Sequence, residues 1–180
     1  MSVVIVFETH SISVDNERAI ATGWLDGRLS PTGRRLAKDL GGRRRDDGVA
    51  AAFTSDLRRA VETAEIAFEG SLIPIHQDRR LRECNYGELN GMPVSRLESE
   101  RLQHVDEPYP GGESYRQVTE RIRGFLRDLP AGWDGKRVVI IGHSATRWAL
   151  DHLLSGILLE DLVAAPFAWQ EGWLYALGTV

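Results

Sequence analysis

Residues 3–7, Val-Val-Ile-Val-Phe, form a continuous apolar run with four β-branched members. A half-buried strand would alternate apolar and polar side chains, so an unbroken run this short predicts a strand covered on both faces in a parallel sheet. Comparable runs recur at 49–53, 73–75, 138–141 and 173–177. Helical periodicity fills the intervals at 32–44, 57–68, 115–129 and 145–154. Strands alternating with helices predict an α/β fold, a three-layer α/β/α sandwich with a mostly parallel central sheet.

The length of 180 residues suits one domain, 1–180, able to bury about 70% of its unfolded surface without a metal or disulfide. Hydrophobic content of 42% and charged content of 27% exclude disordered, collagen-like and coiled-coil classes. With 22 basic against 26 acidic residues, a dedicated nucleic-acid binder is not expected. The one basic run, Arg43-Arg44-Arg45, is followed at once by Asp46-Asp47 and reads as a solvated helix end. The first residues lack the basic flank and cleavage site of a signal peptide, and no apolar stretch is long enough for a membrane span. Cys84 has no internal partner for a disulfide. The expectation is a cytoplasmic protein without membrane or nucleic-acid partners; the oligomeric state is not readable.

Open α/β sheets hold ligands just beyond the carboxyl ends of their strands. The segments in that position are Glu8-Thr9-His10-Ser11, Thr54-Ser55-Asp56-Leu57-Arg58-Arg59 and Gly142-His143-Ser144-Ala145. Two histidines and two arginines therefore converge on one edge. His76 ends an apolar segment, His104 sits among exposed polar residues and His152 lies on an amphipathic helical stretch, so these three are not read as catalytic. Small residues after His10 and His143 let backbone amides approach an anion. A zinc site would need a third ligand, and no Asp, Cys or further His falls at a suitable strand end, so neither metal nor cofactor is expected. The neighbouring guanidinium groups suit phosphate.

Six segments then carry a resemblance to the histidine phosphatase superfamily, the phosphoglycerate mutase-like fold. They are Thr9-His10-Ser11-Ile12-Ser13 with Asn16; Gly23-Trp24-Leu25-Asp26-Gly27-Arg28-Leu29-Ser30-Pro31-Thr32-Gly33; the complete Ser-Asp-Leu-x-Arg-Ala-x-x-Thr-Ala segment from Ser55 to Ala64; Leu81-Arg82-Glu83-Cys84-Asn85-Tyr86-Gly87; Pro110-Gly111-Gly112-Glu113-Ser114; and His143-Ser144. The resemblance implies a catalytic set of His10, Glu83 and His143. His10 would form a phosphohistidine, Arg59 and His143 would bind equatorial oxygens, and Glu83 would protonate the leaving oxygen and then deprotonate water. Asn16, Thr9, Ser11, Ser144 and Arg28 would complete the phosphate and substrate contacts. Read without the motif, Glu83 is a surface carboxylate paired with Arg82 or Arg80, and Arg59 an exposed first-turn residue with Arg58 as an alternative register.

The departures bear on activity. Most members of the superfamily carry Arg where this chain has Thr9, and Gly where it has Ser11 and Ser144. Losing one preorganised donor lowers rates about 100- to 1,000-fold unless other groups replace it, and Arg28 and Arg147 are the nearby candidates. The expected function is metal-independent hydrolysis of a phosphomonoester of a small metabolite. Two alternatives stand beside it: a weak or inactive module that binds a phospho-ligand, and a mutase-type phosphotransferase. Only 18 residues separate Gly91 from Pro110, a short cover that favours hydrolysis over a mutase. Trp24, Tyr86, Trp148 and Trp169 could line an apolar leaving-group pocket, although aromatic residues at a sheet edge are more often core.

Overall fold

The computed structural model describes residues 2–178. In chain order its elements are β1 (Ser2–Thr9), α1 (Val14–Glu17), β2 (Ile20–Ala21), α2 (Pro31–Arg44), β3 (Val49–Thr54), α3 (Arg58–Phe68), β4 (Ile75–Gln77), β5 (Met92–Pro93), α4 (Val94–Glu100), α5 (Tyr115–Asp128), α6 (Pro130–Trp133), β6 (Arg137–Gly142), α7 (Ser144–Ser155), α8 (Leu159–Ala164) and β7 (Trp173–Gly178). The main sheet runs β4-β3-β6-β1-β7. Its first four strands are parallel and β7 closes the edge antiparallel to β1. The mostly parallel sandwich is the expected architecture.

Burial on both faces explains the apolar runs. Val138 and Ile140 of β6 face a cluster with Ile5, Phe7, Ile122, Phe125 and Leu150, on the side of α5 and α7. Val139 and Ile141 face the opposite cluster with Val6, Leu40, Ala64 and Phe68, on the side of α2 and α3. Each such large side chain contributes roughly 1.5–3 kcal/mol by leaving water.

The strand expected at 73–75 lies two residues later. Pro74 has no N–H for a ladder and takes part through its carbonyl, which accepts from Ala52 N at 2.9 Å. The small pair β2–β5 and the helices α1, α4 and α8 are too short to carry a readable period. The basic run ends α2 and is solvated only in part: Arg45 is exposed, with its Nε donating to Ala67 O at 2.7 Å, while Arg44 Nε donates to the buried Glu8 carboxylate at 2.8 Å. Among the described residues, no helix is long and apolar enough to cross a membrane.

One helix start fixes the position of the turn after β1. Ser30 caps α2 by accepting from Gly33 N at 3.1 Å, with Pro31 in the first turn. The resulting close approach leaves no room at Gly33, where a Cβ would run into the Ile12 carbonyl. We expect Gly33→Ala to destabilise the protein by about 1–3 kcal/mol, read as a lower urea midpoint at constant slope, since neither backbone can yield alone.

Candidate active site

Parallel pairing of β1 with β6 sets Thr9 against Gly142, and His10 N donates to Gly142 O at 2.8 Å. The histidines that follow each strand thus stand side by side, ring centroids 5.1 Å apart and planes tilted by 52°. Topology alone joins residues that are distant in sequence.

Hydrogen bonds assign the tautomer of each ring. His10 Nδ1 lies 2.7 Å from Ser11 O, and a carbonyl only accepts, so Nδ1 carries the proton and Nε2 a free lone pair. His143 Nδ1 faces Arg59 Nη2 at a long 3.5 Å, and a guanidinium only donates. His143 Nε2–H therefore donates to Ser55 Oγ, at 2.7 Å.

Arg59 is buried, 2% exposed, whereas Arg58 is exposed and paired with Glu62, which settles the register. One Arg59 nitrogen, Nη2, donates to Gly23 O at 2.8 Å. The other, Nη1, is buried without a partner among the described residues. A buried donor left unsatisfied costs about 1–3 kcal/mol, more when charged, which makes this guanidinium edge a candidate anion contact.

Glu83 is not the surface carboxylate that its arginine neighbours suggested. It is 8% exposed, while Arg82 pairs with Asp56 and Arg80 with Asp78 and Asp128. Glu83 Oε1 accepts from Cys84 N at 2.8 Å and Ala145 N at 3.2 Å, so a proton on this group belongs on Oε2. Its backbone is anchored too, the carbonyl accepting from Trp24 Nε1 and Arg121 Nη2.

The remaining predicted residues divide. Asn16 Oδ1 accepts from Ser13 N and Ser13 Oγ, both at 2.9 Å, which leaves Nδ2 as a donor on the wall of a cavity shared with Thr9, His10 and Ser11. Both Ser11 donors are already engaged, N with Thr63 Oγ1 at 2.9 Å and Oγ with Gly33 O at 2.6 Å. Ser144 opens α7 and is half-buried. Arg28 is exposed and takes part through its carbonyl, which accepts from Val14 N. Arg147 pairs with Asp151 at 3.0 Å and lies over Trp173. The sequence reading missed Ser55 and Thr63 as supports. Their four-residue spacing around Arg59 was the available signal.

Residues 7–168 match the family model described as the histidine phosphatase superfamily (branch 1). The chain belongs to that superfamily. It is 32% identical to the 2,3-bisphosphoglycerate-dependent phosphoglycerate mutase of Cytophaga hutchinsonii, over 96% of this chain and 86% of that protein. It is 34% identical to the "uncharacterized phosphatase PhoE" of Bacillus subtilis, over 74% of this chain and 68% of that one. Among solved structures, Bacillus stearothermophilus YhfR superposes with a TM-score of 0.81 at 28% identity, covering 94% of this chain and 88% of the other. Membership in this superfamily of phosphatases and mutases supports a phosphatase-type enzyme.

Electrostatics hold the two histidines neutral. Burial, reinforced by the Arg59 charge, lowers the pKa of His10 to about 3, and the same causes hold His143 well below the usual imidazole range. Burial raises Glu83, against the opposing pull of the Cys84 amide and Arg59. Between pH 6.5 and about 3 the unfolded chain binds a proton at His10 that the folded chain refuses, so His10 makes stability fall as pH drops through that window. His10→Asn is expected to remove up to about 1.4 kcal/mol per pH unit of that dependence, less where solvent reaches the ring. Urea midpoints of both proteins across the window test it; parallel curves would contradict the assignment.

Proposed function

We propose that the chain is a phosphohydrolase that works through a phosphohistidine at His10, without a metal. The observation that carries this reading is the unpartnered edge of Arg59 in a buried site beside an imidazole whose Nε2 is free. A phosphoryl group placed there meets a positive charge on its oxygens and a lone pair on phosphorus at once.

Nε2 attacks in line as the P–O bond breaks, and the leaving oxygen takes the Glu83 Oε2 proton. Water then attacks phosphorus, gives its proton to Glu83, and the P–N bond breaks. Arg59 and His143 bind two equatorial oxygens, where charge persists through a loose transition state. The neutral His143 Nδ1 becomes a donor by taking up a proton as the anion enters. Asn16 Nδ2 supplies a further donor from the edge of the site.

Hydrolysis is preferred to phosphoryl return because the segment between Gly91 and Pro110 is short and holds only β5, α4 and a single turn after it. The likeness to the Cytophaga hutchinsonii mutase supports the second reading, transfer between positions of phosphoglycerate. Incubation with 3-phosphoglycerate and 2,3-bisphosphoglycerate separates the two: free phosphate is expected, and isomerised phosphoglycerate without phosphate release would favour the mutase.

His10→Ala should abolish both turnover and acid-labile labelling of the protein by a 32P-phosphomonoester; retained activity would remove His10 as nucleophile. The pH profile should be acid-shifted. Activity requires His10 unprotonated, which holds above about 3, and Glu83 protonated, which burial extends upward from the ordinary carboxylate range. Glu83→Gln should therefore cost roughly 100- to 10,000-fold on an alkyl phosphate. On para-nitrophenyl phosphate, whose leaving group needs no proton, the first step should be largely spared in a single-turnover burst.

A further inference from the structure

Thr9 stands where the superfamily resemblance places an arginine, and the space beside it is a cavity of about 890 Å³. Thr9, His10, Ser11 and Asn16 form one wall. Ile12, Leu36, Leu40 and Trp169 supply the apolar part of the lining, with Leu36 and Leu40 one turn apart on α2, and Glu8, Lys38, Asp39, Arg43 and Glu171 bring charges of both signs to it. Leu36 is 42% and Trp169 60% exposed, so both present apolar surface to the cavity. Arg59, Glu83 and His143 are not among the residues that line it.

That division has a geometric meaning. In-line attack by His10 Nε2 places the leaving oxygen on the far side of phosphorus, next to its proton donor Glu83. A cavity that borders the nucleophile but not the acid lies to the side of this axis, where the equatorial substituents point. Arg59 and His143 account for two of the three. The third, deprived of a guanidinium by Thr9, faces a large and mostly apolar space.

We propose that this third equatorial oxygen is esterified, so that the substrate is a phosphodiester whose retained alcohol, apolar or aromatic, occupies the cavity beside Thr9. The inference rests on the phosphohistidine reading above. Charge agrees with it: a diester carries one negative charge where a monoester carries up to two, and Arg59 is the one buried guanidinium at the histidine pair. The chemistry balances. The bond from Nε2 to phosphorus forms as the bond to the first alcohol breaks, that alcohol leaving with the Glu83 proton. Water then displaces Nε2 and returns a proton to Glu83. The products are the free alcohol and the phosphomonoester of the alcohol held in the cavity.

The test compares kcat/KM for bis(para-nitrophenyl) phosphate and para-nitrophenyl phosphate, with His10→Ala as the control for contaminants. We expect the wild-type chain to favour the diester by at least about tenfold. Thr9→Arg should reverse the preference by restoring a donor to the third oxygen and filling the cavity mouth. Trp169→Ala, at an exposed position that folding tolerates, should raise KM for the diester more than for the monoester. Monoester turnover without diester turnover, or a ratio that neither substitution moves, overturns the inference and leaves the phosphatase reading standing. Hydrolysis of neither ester, with no labelled His10, removes the phosphoryl-transfer reading and this inference with it.

Discussion

Pairing of the last residues of β1 with those of β6 is the constraint on which the site depends. Register is set by apolar side chains buried on both faces, and a slip of one residue would turn every one of them the wrong way. The same register that seats Ile5 and Val6 opposite Val138 and Val139 also sets Thr9 against Gly142. The two histidines thus inherit their spacing from the hydrophobic core, which supplies far more free energy than any polar contact at the site.

Around that pair, each polar side chain is already held by a protein partner. Arg59 is held by Gly23 O, Glu83 by two backbone amides, His10 by Ser11 O and His143 by Ser55 Oγ. On the proposed reading the side chains keep their places when phosphate enters, with only a proton added at His143, and fixed dipoles and charges act most strongly on a transition state under that condition. The energetic burden is visible in the same place: a charged nitrogen without a partner among the described residues, two imidazoles kept neutral and a carboxyl group whose proton is held more tightly. On the proposed reading, an anion relieves the first directly and the second by drawing a proton onto His143.

Much of this was legible in the sequence because core and motif obey local rules. The run at 3–7 could be little else than a doubly covered strand, and the residue after it had to lie at the sheet edge. The supports were harder to see. Ser55 and Thr63 belong to a segment read mainly for Arg59, yet their hydroxyls hold His143 and the Ser11 amide. The basic run at Arg43 to Arg45 looked solvated because nothing in the sequence pairs it with Glu8, 36 residues away in the bond from Arg44. Glu83 looked like a surface partner for its neighbours because burial is a property of the fold, and Arg80 and Arg82 find other carboxylates only once it has formed.

Glu8 and Thr9 together show how a departure from a family pattern can be read physically. By strand alternation Glu8 points with Val6 toward α2, where Arg44 and Arg43 neutralise it. Those two guanidinium groups are thereby committed, and neither is free to stand in for the arginine missing at Thr9. Ser11 is committed as well, to Thr63 and Gly33. The charge absent at Thr9 is therefore not restored by these near neighbours, and the cavity that Thr9 borders is lined by Leu36, Leu40 and Trp169 together with the exposed Lys38 and Asp39. On the proposed reading, a site without that cation and beside apolar surface suits a phosphate carrying less charge and more carbon better than a doubly charged one.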